Sequence, residues 1–279
     1  MIPFSFTYCR PSSLKEASEV YQQLRSEGKE PVYYSGGSEI ITLCRAGSIK
    51  PDAVIDIKEI PECRKLSIDQ NKLSIGAACT LTQIRSAEAF PLLGLACGRI
   101  ADHSNQCRIT LGGNLCGTII YRESSLPLLL SDAEVSLFGP EGARSVPFSA
   151  VFPGKISLKT GEFLVGVSIP SWALTAPHVH SKHTANEKID YPLVNVTALW
   201  KNDVLRVAFS GICSYPFRSE EVEAILNERT VPIQQRVDTA VTRIPDMPLT
   251  DVEGSGAYRL FILKNTLSTL LEDWEHAKI

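Results

Sequence analysis

A chain of 279 residues, 44% apolar and 21% charged, is long enough to bury a core without disulfide or metal staples, and its length is a soft prior for about two domains. A formal net charge of −3 excludes the basic footprint of a nucleic-acid or anionic-membrane binder. The longest apolar runs, such as LPLLL at 126–130, are far too short to span a bilayer, and MIPFSFTYCRPSS lacks the basic-then-apolar layout of a secretory signal, so a cytoplasmic location is expected.

The first element is a helix opened by Pro11-Ser12-Ser13-Leu14 with Glu16 behind it, running to about Glu27 and ended by Gly28. A β-rich run at 32–34 stops at Gly36-Gly37, and a helical stretch follows to about Cys44. Strands are expected at 53–57 and 72–76, then helices at 81–87 and 91–101. A glycine-rich turn occupies 110–114. Residues 133–138 alternate as a strand, 140–142 form a hairpin turn, 143–147 return, and 162–169 make a strand closed by Pro170. The sequence turns loop-like near 171–178, which sets an expected domain boundary. Two strands follow at 194–200 and 204–210, then helices. The last, 260–274, carries leucines at 260, 263, 267, 270 and 271 on one face.

The eight cysteines stand at 9, 44, 63, 79, 97, 107, 116 and 213, and no CxxC pair occurs among them. Neither a zinc knuckle nor an iron–sulfur ligand set is visible, and reduced structural thiols are the expectation. His178, His180 and His183 have metal-like spacing but no carboxylate or cysteine beside them, so no metal site is assigned.

Two loops carry chemistry. Tyr34-Ser35-Gly36-Gly37-Ser38-Glu39 follows a strand and precedes a helix, and Thr110-Leu111-Gly112-Gly113-Asn114 repeats the glycine pair further on. Glycine permits positive φ and lets a ligand approach bare backbone, whose successive N–H groups make a concavity suited to phosphate. Ser35, Ser38, Thr110 and Asn114 add neutral donors. Neither loop is the dinucleotide fingerprint GxGxxG, so spacing alone leaves two readings open, ordinary turns or a phosphate cradle.

Taken in order, YSGGSEI at 34–40, PDAVIDIKEIPE at 51–62, LSIGAACTLTQI at 73–84, RITLGGNLCG at 108–117, LPLLLSDAEVSLFGPEGARSVPFSAVF at 126–152, DYPLVNVTALW at 190–200, LRVAFSGICSYPFRS at 205–219 and GSGAYRLFILKNTL at 254–267 resemble the FAD-binding medium subunits of molybdenum hydroxylases, the xanthine dehydrogenase and carbon monoxide dehydrogenase type. The resemblance runs nearly end to end. It implies an α+β chain with a vanillyl-alcohol oxidase (PCMH)-type FAD-binding domain at 1–172, built of two α/β subdomains at about 1–78 and 79–172. A C-terminal α+β domain at 173–279, an antiparallel sheet with helices, would close over the ring.

Carried onto matching positions, the resemblance implies that Ser35, Gly36, Gly37, Ser38 and Glu39, flanked by Tyr34 and Ile40, hold the FAD diphosphate. Thr110, Gly113, Asn114, Cys116 and Gly117 would form the second wall. Ala78 would lie near the ring and Leu164 in the adenine-side strand, with Lys182 as a pocket lysine near the flavin and Tyr191 over one face of the ring. Glu123 stands where the family commonly has a ribose-binding aspartate, and Ile119, Ile120, Tyr121 and Arg122 replace the usual small, Ser/Pro-rich residues. HSNQCR at 103–108 also departs from the family's QIRN-type run.

The function so implied is an oxidoreductase subunit that relays electrons. Electrons would pass from an iron–sulfur partner subunit, fed by a molybdopterin subunit, to FAD and on to NAD+ or another acceptor, with no catalytic residue acting on organic substrate here. The rival readings are a stand-alone FAD-dependent oxidase and a degenerate module that has lost FAD. No nucleic-acid or membrane partner is expected.

Overall fold

The computed structural model describes residues 2–69 and 71–277, a mixed helix-and-strand chain that divides into two compact units. The first comprises 1–89, 103–117 and 132–171; the second comprises 90–102, 118–131 and 172–279.

In the first unit β1 (Thr7–Cys9), β2 (Pro31–Tyr34) and β3 (Ala53–Asp56) form a parallel sheet in the order β1-β3-β2. Parallel neighbours need crossover helices. The helix Leu14–Ser26 is one: Ser13 Oγ accepts the Glu16 N–H, the Glu16 carboxylate accepts the Ser12 N–H, and Gly28 ends the turn at a φ of 76°. The helix Ser38–Ala46 is the other, closed by Gly47.

A second sheet runs β4 (Leu66–Asp69), β5 (Lys72–Gly76), β8 (Phe163–Pro170), β6 (Glu134–Gly139), β7 (Gly142–Pro147), all antiparallel. β8 is central and almost continuously buried, as a strand with neighbours on both sides should be. Strand β4 was not expected. It is half-exposed and short, with a bare edge that leaves little hydrophobic pattern to read.

The second unit holds a four-stranded antiparallel sheet ordered β12 (Phe217–Arg218), β11 (Val204–Ser210), β10 (Pro192–Lys201), β9 (His178–Thr184). β10 is buried from Pro192 to Trp200, packing its apolar side chains with Leu263, Leu267, Leu270 and Leu271 of the helix Gly256–Ala277. Each such leucine contributes roughly 1.5–3 kcal/mol on burial. The stretch 171–178, expected as loop, opens with a short helix, Ser171–Leu174, and ends where strand β9, which was not expected, begins. Its sequence HVHSKHT is polar on both faces, so no alternation marked it. The run LPLLL lies in a fully buried short helix, Ser125–Leu130. Among the described residues no helix is long and apolar enough to cross a membrane.

Candidate functional site: two glycine loops and a buried ion pair

The first loop leaves β2 at Tyr34 and enters the helix Ser38–Ala46 with Gly37 as its cap, at a φ of 74° that a β-branched residue adopts only under strain. A glycine cap brings no side chain to the first N–H groups, and Ile41 donates to the Gly37 carbonyl at 2.9 Å. The helix therefore presents its positive end, with its N-terminal amides, at the loop. Ser35 Oγ and Ser38 Oγ are buried there and have no hydrogen-bond partner. Burying a hydroxyl unpaired costs free energy, so two at one loop mark a place shaped for an acceptor.

The second loop is not a bare turn. Residues Leu111–Cys116 form a short helix capped by Thr110, whose hydroxyl accepts the Gly113 N–H at 3.1 Å. Leu111 donates to the Cys79 carbonyl, Gly112 to the Ala77 carbonyl and Asn114 to the Thr110 carbonyl, each 2.9 Å. These amides are thus spoken for, and the loop acts as a wall rather than an amide cradle. Its accessible edge carries Gly113, Asn114, Cys116 and Gly117.

The structure brings the two loops together. A Cβ on Gly36 would land inside the radius of the Arg108 carbonyl oxygen and 3.1 Å from the Thr110 nitrogen. A Cβ on Gly117 would come 2.8 Å from Glu39 Oε2. Ala78 lies in the segment hydrogen-bonded to the second loop, and Leu164 is 3% exposed within β8, paired with Leu137. At Gly37 an added Cβ would meet the ring of Tyr34, so that glycine is required by its φ and by Tyr34 rather than by the approach of a ligand.

The remaining expected residues gather in the second unit. Lys182 Nζ donates to Glu123 Oε1 at 2.8 Å and to the Arg99 carbonyl at 2.7 Å, and Asn195 Nδ2 donates to Glu123 Oε2 at 2.8 Å. The pair is sealed, with side chains 0% and 5% exposed. Burial pushes the Glu123 carboxyl up against the pull of Lys182, and burial pushes the Lys182 ammonium down against the pull of Glu123. The register of β9 on β10 sets Lys182 beside Asn195 and His180 beside Thr197. Thr197 bonds Asn195 Oδ1 at 3.3 Å and His180 Nδ1 at 3.1 Å, extending the network. Burial first, then the charges of Arg99, Lys182 and His178, push His180 down to about 4. Tyr191 is half-exposed and stacks on Tyr121, ring centroids 4.8 Å apart.

A family model described as the FAD-binding domain of molybdopterin dehydrogenases matches residues 4–172. The chain belongs to this family. It is an oxidoreductase subunit of the xanthine and carbon monoxide dehydrogenase type. It is 24% identical to a xanthine dehydrogenase FAD-binding subunit of Escherichia coli, over 96% of this chain and 95% of that one. It is 30% identical to the carbon monoxide dehydrogenase medium chain of Hydrogenophaga pseudoflava, over 62% and 61%. A solved Cu,Mo-CO dehydrogenase in its cyanide-inactivated form matches its fold at a TM-score of 0.84, with 22% identity over 96% of this chain and 97% of that one.

The first loop fits the phosphates of the family's cofactor. The two unpartnered buried hydroxyls and the glycine-capped helix end are neutral donors and a positive dipole, the set a diphosphate takes. Sequence reasoning missed Asn195, Thr197 and Tyr121, and also Lys58, whose Nζ donates to the Ser35 carbonyl of the first loop at 3.2 Å. Asn195 and Thr197 left a signal, being polar residues inside the apolar run PLVNVTALW, where burial demands a polar partner.

Proposed function

We propose that the chain is the FAD-binding, electron-transfer subunit of a xanthine dehydrogenase-like molybdenum hydroxylase, standing between an iron–sulfur subunit and NAD+ or another acceptor, with a molybdopterin subunit as the third partner. The pairing of Ser35 Oγ and Ser38 Oγ, buried and unpartnered at a glycine-capped helix, carries this reading. FAD, when bound, supplies the chemistry that takes electrons singly on one side and gives them up in pairs on the other.

The chain's own residues bind and orient. Ser35, Gly36, Gly37 and Ser38 receive the diphosphate, with Tyr34, Glu39 and Ile40 flanking them. Thr110, Gly113, Asn114, Cys116 and Gly117 form the facing wall, Ala78 backs it, and Leu164 supplies buried apolar strand. Glu123, Lys182 and Tyr191 are proposed as further cofactor-binding residues on the strength of the family resemblance, with Lys182 acting through the pair it makes with Glu123. The architecture is proposed as the PCMH type, divided at 1–172 and 173–279 with subdomains near 1–78 and 79–172, and the location as cytoplasmic.

The reading is tested by anaerobic flavin bleaching. The isolated chain should stay oxidised with purines, aldehydes or N-heterocycles and be bleached only when its partner subunits are added. Bleaching of the isolated chain by such a compound would instead identify a stand-alone oxidase.

A further inference from the structure

Beside the first loop lies a small cleft of the first unit, about 230 Å³, lined in part by Tyr8, Tyr34, Asp56 and Lys58. Its polar side is a chain of bonds. Tyr8 donates to Asp56 Oδ2 at 2.6 Å; that bond, and then burial, push the tyrosine up to about 12, so it remains a donor throughout the working range. Lys58 Nζ donates to the same Oδ2 at 2.7 Å, and the Lys58 N–H donates to Asp56 Oδ1 at 3.0 Å. Asp56 is 2% exposed, so its carboxylate is a fixed anchor at the end of β3. The remaining reach of Lys58 goes to the loop: Nζ donates to the Ser35 carbonyl at 3.2 Å and stands 4.5 Å from the centroid of the Tyr34 ring, which itself packs on Gly37.

The consequence is directional. In a planar trans peptide the carbonyl and the following N–H point opposite ways. Holding the Ser35 carbonyl toward Lys58 turns the Gly36 N–H to the other side. Before a glycine this peptide is unusually free to rotate, because no Cβ resists the flip. Sequence alone therefore leaves the amide's direction open, and Lys58 closes the choice. We propose that Lys58, anchored by Asp56 and Tyr8, is a positioning residue that sets the Ser35–Gly36 peptide and so readies the first glycine loop for a diphosphate. This rests on the reading of that loop as the phosphate site.

The test compares a ligand with phosphates and one without. FAD and riboflavin are titrated into flavin-free full-length chain and followed by quenching of flavin fluorescence, for wild type, Lys58→Met, Lys58→Gln and Lys58→Arg. Lys58→Met and Lys58→Gln should each weaken FAD about tenfold, the size of one lost charged hydrogen bond, and leave riboflavin unchanged. Lys58→Arg, which keeps a cationic donor, should recover most of the FAD affinity. If FAD affinity in Lys58→Met and Lys58→Gln stays within about twofold of a wild type that binds FAD, or if FAD and riboflavin weaken together, the proposal is overturned while the site reading stands. A wild-type chain that takes up no FAD removes that reading and the proposal with it.

Discussion

Replacing Lys182 by methionine would leave the Glu123 carboxylate sealed in the second unit with Asn195 as a donor and the weaker pull of Arg99 in place of a directly bonded counter-charge. Because the two side chains are 0% and 5% exposed, water cannot replace the lost ammonium. Removing one partner of such a pair costs about 3–5 kcal/mol, since the orphaned charge keeps its desolvation penalty. Neutralising the orphan as well, in Lys182→Met with Glu123→Gln, should return at least about half of that loss. Urea unfolding followed by tryptophan fluorescence reads it directly, because Trp200 and Trp274 lie in the core of the same unit. The loss also has a pH signature. Burial raises Glu123's folded pKa above its unfolded value, so its protonated form favours the fold at low pH and that contribution fades as pH rises through the folded pKa. Taking away Lys182, which holds the value down, raises it further. The deficit of Lys182→Met should therefore be greatest near neutral pH and shrink on acidification. A deficit below about 1 kcal/mol, or one flat with pH, would refute the buried-pair reasoning.

Gly36→Ala should displace the first loop from Arg108 and cut flavin retention sharply, while circular dichroism stays native; full retention would contradict the packing of the two loops. Alkylation of the native chain should modify exposed Cys107 and spare Cys63, Cys97 and Cys213, whose thiols burial pushes up to about 12, 12 and 11. Mass spectrometry counts the adducts, and all eight thiols should react after unfolding without reductant; fewer would reveal a disulfide. Tyr191, which rests on Tyr121 in the structure, is proposed to cover one face of the ring and to swing aside as a gate for the acceptor; Tyr191→Ala in the assembled complex should speed acceptor access and weaken flavin retention together, an aromatic stack on the ring being worth about 0.5–1.5 kcal/mol. Unchanged acceptor kinetics in the folded fraction would defeat the gating role.

Much of the frame was legible where periodicity and punctuation agreed. Ser13 and Gly28 bound the first helix, and Pro140-Glu141-Gly142 sits at the β6–β7 hairpin, because caps and turns are local chemistry. β9 was not legible, since its pattern is written by the partner strand β10 and by the Glu123 pair. The glycine loops could be found, but not their difference. Whether an amide is free depends on Ala77 and Cys79, distant in sequence from Leu111 and Gly112. Lys58 was invisible for the same reason: nothing local says that its ammonium reaches back to the Ser35 carbonyl.

The FAD content of the purified chain tests the account most directly. Heat or acid release, followed by chromatography, should yield FAD in stoichiometric amount, free of covalent linkage, and Gly36→Ala should yield far less at equal protein. Chain that purifies without flavin and takes up none on incubation with FAD would contradict the account.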